Sequence, residues 1–250
     1  METKDKIGVV ILAAGKGTRM KSDKLKVMHE LSGRPLVDWV VKAVEALQVR
    51  PVVIVNGENS AVQGYLGNRA NYVVQENQLG TGHAVSVAEN ILKNVVDNVV
   101  VLYGDMPFIT PSSIQKLVNQ HVDNNDVLTL TTTTVRDFVE QNNFFEYGRI
   151  IRDKNGSIIG VVEKKDATPE ILNIKEINIG YFCFDSEWLW NNLKKLQNNN
   201  AQNEYYLTDL VKLAFDQKVK MSSVSIDSKE AVGINTLENL QKAIELQYDK

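Results

Sequence analysis

At 250 residues, 43% of them apolar, the chain is long enough to bury a full core in one or two α/β domains. Its net charge of −3, from 28 Lys and Arg against 31 Asp and Glu, argues against a nucleic-acid binding protein, which usually has a basic surplus. The single cysteine, Cys183, excludes an internal disulfide and suits a reducing compartment, and the apolar run over residues 7–14 is too short to span a bilayer. We therefore expect a cytoplasmic protein that binds neither nucleic acid nor membrane.

The first half of the chain alternates between short apolar runs and amphipathic segments. Strands are predicted over residues 52–55, 72–75 and 99–103, and helices over residues 36–47, 83–92 and 112–122. Thr110-Pro111 is a helix start signal, because a hydroxyl cap is followed by proline at the first helical position. This βαβ alternation predicts a mostly parallel, doubly wound sheet that binds ligands beyond the carboxyl ends of its strands. Two loops, residues 13–20 and 104–108, lie at such ends.

The second half has a different, β-rich character. A threonine-rich strand is predicted over residues 127–135, a hairpin over residues 149–152 and 157–163 through an Asn155-Gly156 turn, and a further strand over residues 176–184. Residues 198–203 form a polar loop that we expect to be mobile, and helices follow over residues 207–217 and 236–248. The β-rich insertion is a candidate acceptor-binding lobe.

The loop after the first strand is the most informative segment, and it reads Ala13-Ala14-Gly15-Lys16-Gly17-Thr18-Arg19-Met20. A strand that feeds a glycine-rich, cationic loop is a typical way for an α/β protein to approach a nucleotide phosphate. The glycine spacing fits neither a Walker loop nor a dinucleotide fingerprint, whose third glycine is replaced by Met20. Taken alone, the loop could equally be a tight turn with solvated cations.

Two further loops follow strand ends. Gly80-Thr81 opens a helix and offers free N–H groups and a hydroxyl to a base or a phosphate, although a plain helix cap is as good an explanation. Gln75, just upstream, carries the paired donor and acceptor that reading a pyrimidine edge requires. Asp105, in Gly104-Asp105-Met106-Pro107, is either a local cap or a ligand of a hard cation such as Mg²⁺, which takes one or two carboxylates plus phosphate oxygens.

Neutral and acidic hydrogen-bonding groups lie further downstream, in Tyr147-Gly148-Arg149, at Glu163 and at Asn178. Such groups suit a polyhydroxylated acceptor better than a flat aromatic one. The three histidines (His29, His83 and His121) are scattered without metal-ligand spacing, and we interpret them as structural or surface residues. No G-x-S-x-G motif is present, and Cys183 lies in an apolar run, so nucleophilic catalysis has no support.

Seven segments in order resemble the N-terminal pyrophosphorylase domain of the bacterial bifunctional N-acetylglucosamine-1-phosphate uridylyltransferases/glucosamine-1-phosphate acetyltransferases. They are LAAGKGTRMKSDKLKVMHELSGRPL, QLGTGHAV, LYGDMP, YGRIIRD, VEKKDATPE, EINIGY and NNNAQNEYYLTD. The resemblance runs through nearly the whole chain. It implies a Rossmann-like, doubly wound mixed sheet of the nucleotide-diphospho-sugar transferase (GT-A-like) type with a β-rich acceptor-binding insertion.

The resemblance also implies a reaction: Mg²⁺-dependent transfer of UMP from UTP to N-acetylglucosamine 1-phosphate, giving UDP-N-acetylglucosamine, a precursor of peptidoglycan and the cell envelope, and pyrophosphate. By position, Leu12, Ala13, Ala14 and Gly15 would hold the nucleotide through their backbone, and Gln75, Gly80 and Thr81 would recognise uracil and ribose. Arg19 and Lys26 would stabilise the triphosphate and the departing pyrophosphate. Asp105 and Asn235 would hold Mg²⁺. The substrate-binding residues would be Tyr103, Gly104, Gly148, Glu163, Asn178 and Asn235.

The chain departs from the family pattern at two positions. Leu25 replaces the proline before the loop lysine, which should loosen the loop and leaves Lys24 or Lys26 as the phosphate ligand; the register favours Lys26. Ile179 replaces the threonine after the sugar-binding Asn178, so one hydroxyl is missing near the acceptor.

The 250 residues hold no counterpart of the family's C-terminal β-helix acetyltransferase domain. We predict one nucleotidyltransferase domain over residues 1–250, with a nucleotide-binding half to about 125, an acceptor-binding half to about 235 and a C-terminal helix over residues 236–250. We expect a monomer, because trimerisation in the family rests mainly on the β-helix domain. Two other functions stay open: the same chemistry on another sugar 1-phosphate or nucleotide, and a catalytically silent nucleotide-sugar sensor.

Overall fold

The structure is a computed structural model that describes residues 5–57 and 60–248. Its strands are β1 (Ile7–Leu12), β2 (Glu30–Leu31), β3 (Arg34–Pro35), β4 (Val52–Asn56), β5 (Asn71–Gln75), β6 (Asn98–Tyr103), β7 (Leu128–Thr134), β8 (Arg149–Arg152), β9 (Ile158–Val162), β10 (Glu176–Asp185) and β11 (Met221–Ser225). Its α-helices are α1 (Leu36–Glu45), α2 (Ser60–Leu66), α3 (Thr81–Ser86), α4 (Glu89–Leu92), α5 (Pro111–Asn124), α6 (Pro169–Leu172), α7 (Ser186–Leu193), α8 (Asp209–Asp216) and α9 (Leu237–Tyr248). Within these residues, no helix is long and apolar enough to cross a membrane.

A mixed sheet forms the centre of the fold, with the strand order β11-β7-β10-β6-β1-β4-β5. Strands β6, β1, β4 and β5 run parallel, whereas β10 is antiparallel to both of its neighbours, β6 and β7. The hairpin β8–β9 is attached to the sheet through β10. Because Leu12 pairs with both Tyr103 and Ile54, the loops that follow β1 and β6 leave the sheet at the same edge.

Apolar side chains are buried on both faces of this sheet, as the continuous Val, Ile and Leu runs of β1 and β6 require. One face packs against α1 and α5 through residues such as Val40 and Leu117. The opposite face packs against α3, α7 and α8 through Val85, Trp190 and Leu210. The predicted doubly wound mixed sheet with a β-rich insertion is therefore confirmed.

Individual elements match the sequence patterns with two exceptions. The Thr110 side chain accepts a hydrogen bond from the Ser113 N–H and caps α5, as predicted. The helix expected over residues 83–92 is instead two short helices, α3 and α4, separated by residues 87–88. The hairpin turn is longer than a two-residue Asn-Gly turn, because the Asp153 carboxylate accepts hydrogen bonds from the backbone N–H groups of Asn155 and Ser157. In the predicted domain and its terminal helix, residues 1–4, 58–59 and 249–250 lie outside the described residues.

Candidate active site

An open cleft of about 1100 Å³ runs along the sheet edge at which β1, β5 and β6 end. We call residues 12–19, 26 and 75–81 the glycine-loop end, and residues 103, 146–148, 163–165 and 178–180 the hairpin end. The predicted site residues that line the cleft are Leu12, Ala13, Ala14, Gly15, Arg19, Lys26, Gln75, Gly80, Thr81, Tyr103, Asp105, Gly148, Glu163, Asn178 and Asn235. The sequence motifs thus converge on one cavity, and the roles given to these residues stay predictions.

Gly104 is the one predicted site residue that does not line this cleft. Its N–H donates to the Leu12 carbonyl at 2.9 Å, and a Cβ at this position would lie 3.2 Å from the same oxygen. Gly104 therefore allows the chain to pass close to the end of β1, and it makes no wall of the cavity. The role in substrate binding that the resemblance implies for Gly104 stays a prediction.

The glycine loop is fixed by close backbone packing. Gly17 has φ +64°, and a Cβ there would lie 2.6 Å from the Lys26 Cβ, so a larger residue would push the two segments apart. Met20 is buried and anchors the far side of the loop. At Gly15, by contrast, a Cβ would meet nothing within 4 Å. The loop is thus fixed on one side by its packing at Gly17 and Met20, and on the other side, at Gly15, it is open to the cleft.

Four side chains meet at the middle of the cleft, and we call Arg19, Lys26, Asp105 and Asn235 the central cluster. The Lys26 ammonium lies 2.5 Å from Asp105 Oδ2 and donates to Asn235 Oδ1 at 3.0 Å. Arg19 Nη2 donates to the same Asn235 oxygen at 3.0 Å. The structure therefore brings together residues up to 216 positions apart in the sequence.

The central cluster fits a divalent cation. A carboxylate and an amide oxygen already converge on one cation, the Lys26 ammonium, and hard metal ions prefer oxygen ligands of this kind. So sparse a donor set is typical of Mg²⁺, which keeps phosphate oxygens and water as its other ligands. Asp105 and Asn235 are accordingly the residues that would hold a metal ion.

Lys24 and Lys26 are the two candidates for the phosphate ligand, and they lie in different environments. Lys24 makes an ion pair with Glu30 at 3.0 Å on the surface, where both side chains are about half exposed (46% and 52%). Lys26 lies in the cleft, where its side chain is 16% exposed. Leu25 between them has φ −55°, a value within the range of proline, so leucine here adopts a backbone angle that proline could also adopt.

The loop that carries Asn235 is tied down by groups that the sequence analysis did not single out for this purpose. The Tyr147 hydroxyl donates to the Ala231 carbonyl and accepts a hydrogen bond from the Gly233 N–H. The Ile234 N–H donates to the Asp105 carbonyl at 2.9 Å. Burial raises the pKa of Tyr147, which keeps its hydroxyl neutral and able to donate. Tyr147 also lines the cleft, so it connects the hairpin end to the central cluster.

Gln75 lies almost fully buried at the glycine-loop end. Its side-chain nitrogen donates to the Gly80 carbonyl at 3.2 Å and lies 2.9 Å from His83 Nδ1. Gly80 has φ +110°, and a Cβ there would lie 2.7 Å from the Tyr205 carbonyl oxygen. The segment that carries Gly80 and Thr81 is therefore packed against residues 204–205, which directly follow the predicted polar loop, and the Tyr205 N–H donates to the Leu79 carbonyl at 2.8 Å.

The hairpin end combines a close backbone approach with a partly buried, hydrogen-bonded carboxyl group. A Cβ at Gly148 would lie 2.9 Å from Val161, and the Gly148 carbonyl accepts a hydrogen bond from the Asn178 N–H at 2.9 Å. Glu163 accepts a hydrogen bond from the Thr208 hydroxyl at 2.9 Å, and burial raises the pKa of this carboxyl group. Hydrogen-bonding groups of this kind can hold a sugar by its hydroxyls.

The hairpin end also contains one apolar and one aromatic side chain, Ile179 and Tyr103. Ile179 is buried in the core, so the position at which the resemblance lacks a hydroxyl is filled by an apolar contact. Tyr103 lies against Gly180, where a Cβ would come within 2.8 Å of the ring. Because Gly180 has no side chain, the Tyr103 ring can pack against it and form part of the cleft wall.

Several lining residues were not predicted as site residues: Lys16, Glu76, Asn77, Gln78, Glu146, Tyr147, Lys164, Lys165, Gln202 and Glu204. Most of them directly neighbour a predicted motif, which is the signal that could have identified them. Gln202 is different, because it reaches the cleft mouth from the polar loop and accepts a hydrogen bond from Lys165 at 2.5 Å. The polar loop is thus connected to Lys165 by a side-chain hydrogen bond, and its expected mobility stays a prediction.

Comparison with known proteins places these observations in a family. The model of the MobA-like NTP transferase domain matches residues 9–203. The chain is 44% identical to the bifunctional protein GlmU of Acetivibrio thermocellus over 236 residues, which is 94% of this chain and 50% of that protein. It is 42% identical to the protein of the same name from Thermoanaerobacter pseudethanolicus over 235 residues, again 94% of this chain and 50% of that protein. The chain spans about half the length of the curated relatives it matches.

A solved structure gives the same fold. The crystal structure of UDP-glucose pyrophosphorylase complexed with UDP-glucose matches with a TM-score of 0.79, covering 98% of this chain and 99% of that one. The sequence identity is 18%, so the likeness concerns the fold.

Proposed function

Because this chain belongs to the MobA-like NTP transferase domain family, we propose that it transfers UMP from UTP to N-acetylglucosamine 1-phosphate, giving UDP-N-acetylglucosamine and pyrophosphate. The observation that carries the proposal is the central cluster, in which Arg19 and Lys26 of the glycine-loop end meet Asp105 and Asn235 in the cleft that also contains the hairpin end. The curated relatives, which bear the name of a bifunctional protein and match along 94% of this chain, support the choice of reaction.

This reaction mainly requires the protein to position the two substrates and to stabilise negative charge on the phosphates. A phosphate oxygen of the sugar phosphate attacks the α-phosphorus of UTP, and the bond between the α-phosphorus and its bridging oxygen breaks to release pyrophosphate. The attacking phosphate is already ionised, so the site needs no strong base. Catalysis then comes from in-line positioning and from stabilising the negative charge that accumulates on the phosphates.

Different residues bind the nucleotide, stabilise the pyrophosphate and bind the sugar. Leu12 to Gly15 hold the nucleotide through their backbone, and Gln75, Gly80 and Thr81 bind the base and ribose. Arg19 and Lys26 lie where the triphosphate passes the central cluster, and they stabilise the departing pyrophosphate. Tyr103, Gly148, Glu163 and Asn178 hold the amino sugar.

Nucleotidyltransferases of this kind generally use a divalent metal ion. In this chain Asp105 and Asn235 would hold it, and we propose Mg²⁺, which supplies positive charge to the phosphates when bound. Lys26 now lies between those two oxygens, so it is the group whose position must adjust to phosphate and metal.

The test is a measurement of pyrophosphate release from defined substrate pairs. UTP with N-acetylglucosamine 1-phosphate should give the highest kcat/KM, and replacing UTP by CTP or the acceptor by glucose 1-phosphate should lower it strongly. Preference for another pair would overturn the substrate assignment. Tight binding of UDP-sugars with no turnover of any pair would show a sensor.

A further inference from the structure

The Gln75 carboxamide can be assigned a single orientation from its neighbours. One of its two terminal atoms lies 3.2 Å from the Gly80 carbonyl oxygen, which can only accept a hydrogen bond. That terminal atom must therefore be the nitrogen, Nε2. A carboxamide rotated by 180° would place two oxygens against each other.

His83 takes up the second hydrogen of the same nitrogen. Its Nδ1 lies 2.9 Å from Gln75 Nε2, and because the amide nitrogen can only donate, Nδ1 must accept. The imidazole is therefore the tautomer with its proton on Nε2. With both N–H groups engaged, the amide oxygen of Gln75 is the one group left for a ligand, and no described residue donates to it.

A fixed acceptor distinguishes the two common pyrimidines. Uracil presents an N3–H donor on its Watson–Crick edge, whereas cytosine presents a lone pair at N3. The Gln75 oxygen can accept from the first and is repelled by the second. A carboxamide that was free to turn could serve both bases, because it would offer its N–H group to cytosine.

We propose that His83 is a positioning residue that sets the nucleotide selectivity of the cleft, by holding the Gln75 carboxamide with its oxygen towards the base so that uracil is preferred to cytosine. The proposal rests on the proposed function in taking the base to bind at Gln75. His83 does not line the cleft, so it acts through Gln75 and not by contact with the nucleotide.

His83 should not affect the discrimination between uracil and thymine. Thymine presents the same N3–H and the same neighbouring carbonyls as uracil, so the orientation of Gln75 treats the two bases alike. The ratio of UTP to dTTP use should therefore be independent of His83. A general loosening of the site would instead change the use of all three nucleotides together.

The experiment compares His83→Leu with Ser86→Ala in the full chain. Ser86 lies on the same short helix and its hydroxyl donates to the His83 carbonyl at 2.8 Å, so Ser86→Ala disturbs the same backbone without touching Gln75. The loss of one hydrogen bond should lower the UTP/CTP ratio of kcat/KM roughly three- to tenfold in His83→Leu, since the Gly80 contact remains. Ser86→Ala should leave the ratio unchanged, and neither substitution should change the UTP/dTTP ratio.

An unchanged UTP/CTP ratio in a folded His83→Leu variant would overturn the proposal, as would an equal change in the UTP/dTTP ratio. If the unsubstituted chain fails to turn over UTP, the proposed function fails, and the selectivity is then read from calorimetric binding of UTP and CTP. If His83→Leu does not fold, nitrogen NMR of the unsubstituted chain decides, because it has only three histidines. A His83 proton on Nε2 supports the assignment, and a proton on Nδ1 overturns it.

Discussion

The glycine-loop end and the hairpin end of the cleft are built in different ways. At the glycine-loop end, consecutive residues follow buried parallel strands, and their geometry comes from those strand ends and from glycines such as Gly17. At the hairpin end, positions depend on contacts between distant segments, such as the hydrogen bonds of the Tyr147 hydroxyl with residues 84 and 86 positions away. The glycine-loop end can be recognised from local sequence motifs, whereas the hairpin end depends on the tertiary fold.

This difference has a functional consequence. Shortening a side chain at the glycine-loop end, as in Lys26→Ala, should change the chemistry with little loss of stability, whereas the packed glycines Gly17 and Gly80 have no room for a side chain. Substitutions at the hairpin end should lower stability and raise the KM of the acceptor together, because the same contacts serve both purposes.

The largest effect on activity is expected from a comparison of Lys24 and Lys26, which lie two positions apart in the segment that follows the glycine loop. Lys26→Ala should lower kcat/KM by about 100-fold or more, as the loss of one group that stabilises a developing charge does elsewhere. Lys24→Ala should change it less than about threefold, because an exposed ion pair such as Lys24–Glu30 is worth at most about 1 kcal/mol. Pyrophosphate release measures both variants, and thermal unfolding checks that both are folded. The reverse order of effects would show that the register of the loop is wrong.

Arg149 provides the corresponding test of the hairpin end. Its side chain is fully buried, and its guanidinium donates to the carbonyls of Phe145, Tyr147 and Leu172 and lies 4.5 Å from the centre of the Phe138 ring. Arg149→Met leaves these carbonyls without a donor, so we expect a loss of about 2–4 kcal/mol in the free energy of unfolding. Residues 146–148 of this segment line the cleft, so the KM for the sugar phosphate should rise about tenfold, which is about 1.4 kcal/mol, while the KM for UTP stays constant.

Arg152 on the same strand is the matched control for this substitution. It is partly exposed and pairs with Glu176 at 2.6 Å, with no contact to segment 145–148. Arg152→Met should leave the KM of the acceptor unchanged. An Arg149→Met variant in which both KM values rise equally would contradict the division of the cleft into two ends.

A smaller effect is expected for the connection between the hairpin end and the central cluster. Tyr147→Phe removes the hydroxyl that holds Ala231 and Gly233, so unfolding should become easier by about 1–2 kcal/mol. The loop of Asn235 loses an anchor, and the Mg²⁺ concentration for half-maximal rate should rise. Tyr72→Phe, which removes a hydroxyl bound to the Gly67 carbonyl at 2.7 Å away from this loop, serves as the control. An unchanged Mg²⁺ dependence in Tyr147→Phe would show that the tyrosine has only a structural role.

The smallest effect is predicted for Leu25→Pro. Leu25 already has a proline-like φ of −55°, and its N–H donates to no described residue. Proline at such a position stabilises by about 0.4–1 kcal/mol, because it restricts the unfolded chain. Chemical denaturation measures the difference, and a less stable variant would mean that the loop needs a conformation that proline cannot adopt.

Much of the fold could be predicted from patterns of neighbouring residues. The apolar run of β1 and the Thr110-Pro111 cap of α5 are local signals, and both elements lie where the sequence placed them. The order of the strands and the antiparallel insertion of β10 could not be read in this way, because they depend on pairing between segments far apart in the chain.

The candidate site shows the same limit. Motif residues such as Lys26 and Asp105 could be assigned to one cleft, because parallel strand ends meet at one edge of the sheet. A motif does not reveal which of its residues packs inward, and Gly104 packs against the Leu12 carbonyl oxygen without lining the cleft. The positioning contacts of Tyr147 and Arg149 were missed, since no spacing rule connects a tyrosine to a carbonyl 84 residues away.

The most direct test of the account is to identify the products of the reaction. The chain is incubated with UTP, N-acetylglucosamine 1-phosphate and Mg²⁺, and the products are quantified by anion-exchange chromatography and mass spectrometry. We expect one UDP-N-acetylglucosamine and one pyrophosphate for each UTP consumed, and we expect both to disappear with EDTA and in Asp105→Asn. Pyrophosphate without UDP-N-acetylglucosamine, or undiminished product formation in Asp105→Asn, would contradict the account.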